Sequence, residues 1–364
     1  MSSPAPDLPP ATASVIGSFP GTDPREVARI VAGELPDLPV LSELPARGPG
    51  ADMIGRTLAL IATHVSPDFA GQTTTSGWRL AGNTTGELPR SMRRATSWLG
   101  EDCDIAESLW ADYQGVFKLQ IAGPWTLAAA VELANGERVL SDDGARRDLA
   151  AALTEAVGTY LADVQRRLPR SKLMLQLDEP ALPAVIAGAI KTQSGWSRHR
   201  EIDVIDASAA LRGAVGAAHK ASAFAAVHCC GSPTAIGVMA DIGADAVSID
   251  LSLVGRGEVE EVDQLVGELT DAGRILMAGL PVLGRDVTSP NAVTSTLAPL
   301  TALLGRLAIP IEDIAGRIVV TPACGLAGAQ GLEQVRQSVE LLNSCGAALR
   351  GEQRGASERE GRRN

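Results

Sequence analysis

Aromatic residues are scarce in this chain, at 3% of 364 positions with only two tyrosines and four phenylalanines. Its core must therefore be packed mainly from small aliphatic side chains. Histidine is also scarce, four in all, so a metal centre made chiefly of imidazoles, as in many zinc hydrolases, lacks material. Cysteine is odd in number, five, which in a chain this long excludes a disulfide framework and favours a reducing compartment. No apolar run reaches membrane length, and Met1 to Pro10 lacks both the cationic start and the apolar stretch of a signal peptide, so the cytoplasm is expected. Clustered cations are missing too. A formal net charge of −11 with no basic stripe disfavours nucleic acid or an anionic membrane as partner. No Gly-x-Gly-x-x-Gly follows the first apolar run, which removes the main support for a dinucleotide fold.

What is present is apolar and punctuated. Hydrophobic residues make up 45% with a mean hydropathy of +0.09, and Gly (38) and Pro (22) are abundant enough for many short connections. Eight short apolar runs recur, each ending in a polar or Gly/Pro cluster and followed by a helical segment: 14–19, 38–43, 116–121, 173–178, 224–230, 246–250, 275–280 and 317–324. Strands alternating with helices give right-handed βαβ units and a parallel sheet, and eight such units predict a (β/α)8 TIM barrel. Helix starts are expected at Thr22-Asp23-Pro24 and Ser289-Pro290, and a long helix from about Gly144 to Leu168. The predicted organisation is an unstructured start over residues 1–12, a single catalytic barrel over 13–350 and a disordered charged tail over 351–364. A helical insertion from about 51 to 112, between the second and third strands, carries Trp78, Trp98 and Trp110; it either packs on the barrel or covers the site.

In such a barrel chemistry sits at the C-terminal strand ends, and here those ends carry Ser18, Glu43, Asp178, His228 with Cys230, Asp250 and Cys324. His228 and Cys230, two apart on a strand, share a face, whereas Cys229 points into the packing. His228, Cys230 and Cys324 offer one nitrogen and two thiolates, with Asp250 as a fourth, oxygen ligand; a strand-end carboxylate can instead cap the next helix. Two thiolates and a carboxylate on Zn²⁺ leave about −1, a poor activator of water but a good holder of an incoming thiolate. The chemistry this predicts is alkyl transfer to a thiol. A lone buried cysteine is usually a small hydrophobe, and Cys345, on one helix face with Leu342 and Leu349, is read so, while Cys103 is read as structural or merely exposed. Asp178 with Glu179 can bind an ammonium, act as a base or enter a salt bridge.

The segments Ile16-Gly-Ser-Phe-Pro20, Gln176-Leu-Asp-Glu-Pro-Ala-Leu182, His228-x-Cys230, Ala244-Asp-Ala-Val-Ser-Ile-Asp250 and Pro322-Ala-Cys-Gly325 together resemble the catalytic barrel of cobalamin-independent methionine synthase. The resemblance implies a uroporphyrinogen-decarboxylase-like barrel and a zinc-dependent transfer of a methyl group to homocysteine, from 5-methyltetrahydrofolate or a methylcorrinoid protein. It assigns His228, Cys230 and Cys324 to zinc, places Asp250 where the family has a glutamate ligand, and puts Ser18, Asp178 and Glu43 at the amino-acid end of homocysteine. Thr288 stands where the family typically has a histidine that helps protonate the leaving folate, and the folate-using enzyme's second, N-terminal barrel has no counterpart in this sequence. Alternative readings are a related alkyltransferase for another thiol such as coenzyme M, and a catalytically degenerate zinc-binding homologue.

Overall fold

The computed structural model describes residues 6–82, 86–254 and 259–352. Ten strands are found among them: β1 (Thr12–Ala13), β2 (Gly71–Thr74), β3 (Gly77–Leu80), β4 (Val116–Ala122), β5 (Val131–Glu132), β6 (Lys172–Asp178), β7 (Phe224–Cys229), β8 (Ala246–Asp250), β9 (Ile275–Leu280) and β10 (Ile318–Pro322). Seven form one curled parallel sheet in the order β1-β10-β9-β8-β7-β6-β4. Six of the eight expected runs coincide with these strands to within a few residues. The first is shifted: regular pairing covers Thr12–Ala13, and the chain beyond it continues with Ser14 N donating to Val320 O at 3.0 Å. The second, 38–43, is not a continuous strand. It makes parallel bridges at Val40 to Lys118 on β4 and at Glu43 to Ser18, so this segment links the two ends of the curled sheet.

Both faces of the sheet are covered, which is why its strands read as near-continuous apolar runs. The side chains inside the curl form a separate small cluster at one end, with Leu38, Val116, Met174, Ala226, Ala246, Ile275, Met277 and Val319. The outer core lies between sheet and helices. The helix Pro24–Glu34 starts as its sequence dictates, with Asp23 accepting from Arg25 N and Glu26 N and Pro24 needing no donor. The long helix Asp143–Arg167 is capped by Asp142. The helix after β9 begins at Ala292, two residues later than Ser289-Pro290 suggested.

The insertion is more than a helical pair. Its helices Met53–His64 and Arg90–Trp110 pack on each other and on Asp143–Arg167 and Pro24–Glu34, while between them β2 and β3 form a hairpin whose second strand pairs in parallel with β5. Thr57 of its first helix accepts from Ala122 N at the end of β4, at 2.9 Å, and buried Glu132 of β5 holds the hairpin through Arg79 and Ser76. Cys103 and Cys345 are buried; burial pushes the Cys103 thiol up to about 12, the mark of an inert packing residue. Of the expected unstructured start, residues 9–12 are held: Thr12 Oγ1 donates to Pro9 O and Ala11 N to Ala315 O. Residues 1–5 and 353–364 lie outside the described residues.

Candidate metal centre and substrate site

Parallel register sets the site. Asp178 is paired with His228, His228 with Ser248 and Asp250 with Gly279. Asp178, His228 and Ser248 therefore stand at one level, and Asp250 lies two residues further along β8. Thr321 near the end of β10 is level with Gly279, and the chain turns there into Cys324. His228, Cys230 and Cys324 offer ligand atoms that all lie within 4.8 Å of one another. Zinc bonds of about 2.0–2.3 Å span roughly that separation. Among the described residues this is the one such group of three.

The Cys230 and Cys324 sulfurs are 3.2 Å apart. Hydrogen bonding with Cys230 and then His228, against burial, holds the Cys324 thiol far below its usual range, to about 4, while the Cys230 thiol is driven far up by its bond to Cys324 and by burial. His228 is buried, and its Nδ1 lies 2.9 Å from Ser248 Oγ, an outer hydrogen bond of the kind that would fix the ring of an imidazole holding a metal. Cys324 is exposed and Cys230 half-buried, so the group opens to solvent. Cys229 faces the other way, lining a small cavity with Ile236, Met239 and Ile249. Asp250 is not brought into the group: its Oδ1 accepts from Ser252 N at 2.8 Å and Ser252 Oγ at 2.6 Å, capping the short turn Leu251–Leu253. That turn begins immediately after the strand, and its unsatisfied amides claim the nearest carboxylate.

The acidic strand ends lie beside the group. Asp178 and Glu43 are buried and act on each other electrostatically. Burial pushes the Glu43 carboxyl up to about 8, with Arg56 pulling it down and Asp178 adding to the rise. Burial also raises Asp178, opposed by His228 and Lys118. Ser18 is half-buried beside Gly325, where an added Cβ would run into Ser18 Oγ, and Ser18 O accepts from Leu326 N at 2.8 Å. Glu179 differs from Asp178: it accepts from Trp125 N, Thr126 N and Thr126 Oγ1 at 2.7–2.9 Å, capping the helix Pro124–Ala130 from another strand. Burial still pushes its carboxyl up to about 7.

Other residues near the site were not singled out by strand ends. Lys118, Gln120 and Gln176 are fully or almost fully buried on β4 and β6. Arg56, from the insertion, donates to Ser42 O at 3.0 Å and pairs with Asp102 at 3.5 Å. The available signal was a polar residue at every second position of an apolar strand, Lys118 and Gln120 or Gln176 and Asp178, which marks an inward polar face. Thr288 is on an exposed turn, with its hydroxyl donating to Asp286 Oδ1 at 2.6 Å. His219 pairs with Asp245 at the opposite end of the sheet, where Asp245 also accepts from Ala225 N. A cavity of about 400 Å³ lies on the outside, between the helices Asp143–Arg167 and Val204–Lys220, lined by Trp125, Arg146, Thr154 and Asp206; it holds none of the strand-end residues. Among the described residues, no single helix is long and apolar enough to cross a membrane.

The solved structure of a B12-independent methionine synthase from Shewanella sp. W3-18-1, in complex with selenomethionine, has a similar fold at 12% identity, with a TM-score of 0.57 over 95% of this chain and 100% of that one. A methylaspartate ammonia lyase mutant from Clostridium tetanomorphum is more distant, with 13% identity and a TM-score of 0.43 over 94% of this chain and 60% of that one. No curated protein matches the sequence. The family model described as the catalytic domain of cobalamin-independent synthase matches residues 10–347. A match over nearly the whole chain, on a curled parallel sheet with a His-Cys-Cys group at its strand ends, places this protein in the cobalamin-independent synthase catalytic-domain family.

Proposed function

We propose that this chain is a zinc-dependent methyltransferase that moves a methyl group to the thiol of homocysteine, giving methionine. The scaffold is a closed (β/α)8 barrel over about 13–350, in which the irregular segment 38–43, bridged at Val40 and Glu43, takes the place of a second strand. The observation that carries the reading is the convergence of His228, Cys230 and Cys324 within 4.8 Å beside two buried carboxylates. One nitrogen and two sulfurs are a donor set that suits zinc and leaves a position open for a ligand from outside. His228, with Nδ1 engaged by Ser248, would use Nε2; Cys230 and Cys324 would both bind as thiolates. Bound there, zinc would supply a Lewis-acidic position at which a thiol loses its proton yet stays nucleophilic. With Asp250 occupied by Ser252, we assign three protein ligands rather than four.

The chain's own residues do the rest. Asp178 and Glu43 take the substrate ammonium, and the Ser18 turn receives its carboxylate, so the sulfur is held toward the His-Cys-Cys group. Two carboxylates at this end favour an amino-acid thiol over a sulfonate such as coenzyme M. In the transfer, the homocysteine sulfur forms a bond to the methyl carbon as the carbon-to-donor bond breaks, and the electron pair leaves with the donor. A folate-type donor fits the family; its departing nitrogen takes a proton from solvent, because Thr288 offers no titrating group. Nothing in the comparisons favours a corrinoid protein as donor.

The test combines metal analysis, calorimetry and complementation. Purified protein is expected to hold one zinc and to bind homocysteine, and the intact chain but not Cys230→Ala is expected to rescue a methionine auxotroph. Zinc retention without homocysteine binding or thiol methylation would sink the enzymatic reading in favour of a degenerate zinc protein.

A further inference from the structure

Lys118 is fully buried in the middle of β4, and its Nζ donates to Ile16 O at 2.7 Å and to Gln176 Oε1 at 2.9 Å. Gln176, equally buried on the neighbouring strand, donates through Nε2 to Asp178 Oδ1 at 2.7 Å and to Ile16 O at 3.1 Å. A lysine head has only donors to offer in its charged form, so it dictates which end of the Gln176 amide faces it. Flipping that amide would set NH₂ against the lysine nitrogen and oxygen against the Asp178 carboxylate, losing both bonds in a dry interior. Burial lowers the Lys118 pKa to about 7, opposed by Asp178; a neutral amine can still donate both bonds, and Ile16 O, which can only accept, keeps the Gln176 amide nitrogen on its side. Ile16 O thus accepts from two strands at once. It opens the turn to Ser18, in which Gly17 has φ +145° and a Cβ would run into the Gln120 amide. At its other end the turn is tied to Leu326 N, two residues past Cys324.

We infer that Lys118 is a positioning residue for the amino-acid end of the substrate: through Gln176 it sets the Asp178 carboxylate, and through Ile16 it sets the Ser18 turn. The inference rests on the assignment of Asp178 and Ser18 proposed above. A lysine that merely filled the interior would, on removal, loosen the whole site without regard to which part of a ligand is bound. A positioning lysine affects only ligands that carry the amino-acid end.

Lys118→Met keeps most of the volume and removes both bonds. Calorimetry on zinc-loaded protein with homocysteine and with propane-1-thiol, which has the sulfur but no amino-acid end, separates the two roles. For Lys118→Met, homocysteine is expected to bind at least tenfold more weakly and propane-1-thiol within about twofold of wild type, with zinc content unchanged. Unchanged homocysteine binding, or equal weakening of both thiols, overturns the inference and leaves the proposed function standing. If wild type binds neither thiol, the proposed function fails and takes this inference with it. Gln176→Met, read in the same way and with the same expectation, serves if Lys118→Met does not yield folded protein.

Discussion

Asp178 on β6 lies directly across from His228 on β7, and the next residue, Glu179, donates its N–H to His228 O at 2.8 Å. One register therefore sets the residue assigned to the substrate ammonium beside a residue assigned to the metal, and makes the following carboxylate a helix cap. The placement of Asp178 relative to His228 is thus a property of two paired strands.

The metal assignment is tested by substitution. Cys230→Ala and Cys324→Ala are each expected to lose most of the bound zinc on dialysis against a weak chelator, measured by elemental analysis. Asp250→Ala is expected to keep stoichiometric zinc and to lose only a capping contribution of about 1 kcal/mol in denaturant melts. Zinc loss from Asp250→Ala comparable to that from Cys230→Ala would restore the aspartate as a fourth ligand.

Glu43 makes a pH-dependent contribution of known sign. Its carboxyl is raised from 4.5 to about 8, so the folded chain holds that proton more tightly than the unfolded chain. The contribution is fully present below about pH 4.5 and is lost as pH rises toward 8. Wild type should therefore lose stability relative to Glu43→Gln across that window, as followed by urea unfolding at several pH values. A difference that stays flat with pH would show that Glu43 does not titrate in this way. Near and above pH 8, where Glu43 is ionised, the same variant should bind homocysteine at least tenfold more weakly, having lost a charged partner for the ammonium.

Glu179 is a structural carboxylate in a chemical neighbourhood. Removing it leaves two amides of the helix Pro124–Ala130 and the Thr126 hydroxyl without their acceptor. Glu179→Ala should cost about 2–4 kcal/mol in chemical unfolding, while the folded fraction keeps its zinc. A loss below about 0.5 kcal/mol would contradict the capping role.

The family resemblance, which implies a proton-donating histidine where this chain has Thr288, gives a gain-of-function expectation. Thr288→His is expected to raise turnover with 5-methyltetrahydrofolate by about tenfold or more, since a placed general acid contributes roughly 10² or more at best. The gain should shrink as pH rises past the histidine pKa. No gain at any pH would indicate that departure of the donor does not need this acid.

The sequence carried the strand ends. His228-x-Cys230, Pro322-Ala-Cys324 and Gln176-Leu-Asp178 could be read as site residues because a polar side chain at the end of a buried strand has little structural reason to be there. In the large sheet, β4 and β6 to β10 were legible as runs buried on both faces; the short β5 was not. The segment 38–43 was legible as apolar but not as irregular, because a bridge at only Val40 and Glu43 depends on how far the sheet curls. The hairpin of β2 and β3 was missed in a stretch read as helical, since its pairing partner, β5, is about fifty residues away.

By itself the sequence determined which groups exist to do chemistry: one imidazole and two thiols at strand ends, acids beside them, and no second histidine at a strand end. Only the tertiary structure decided their partners. Asp250 is the local exception, capping the turn two residues on at Ser252, whereas Glu179 went to a helix start after the neighbouring strand. Lys118 acquired its role because curling the sheet brings Ile16, Gln176 and Asp178, far apart in the chain, around one buried nitrogen. Side-chain chemistry is local and can be read residue by residue; which donor meets which acceptor depends on long-range register, which no short stretch of sequence encodes.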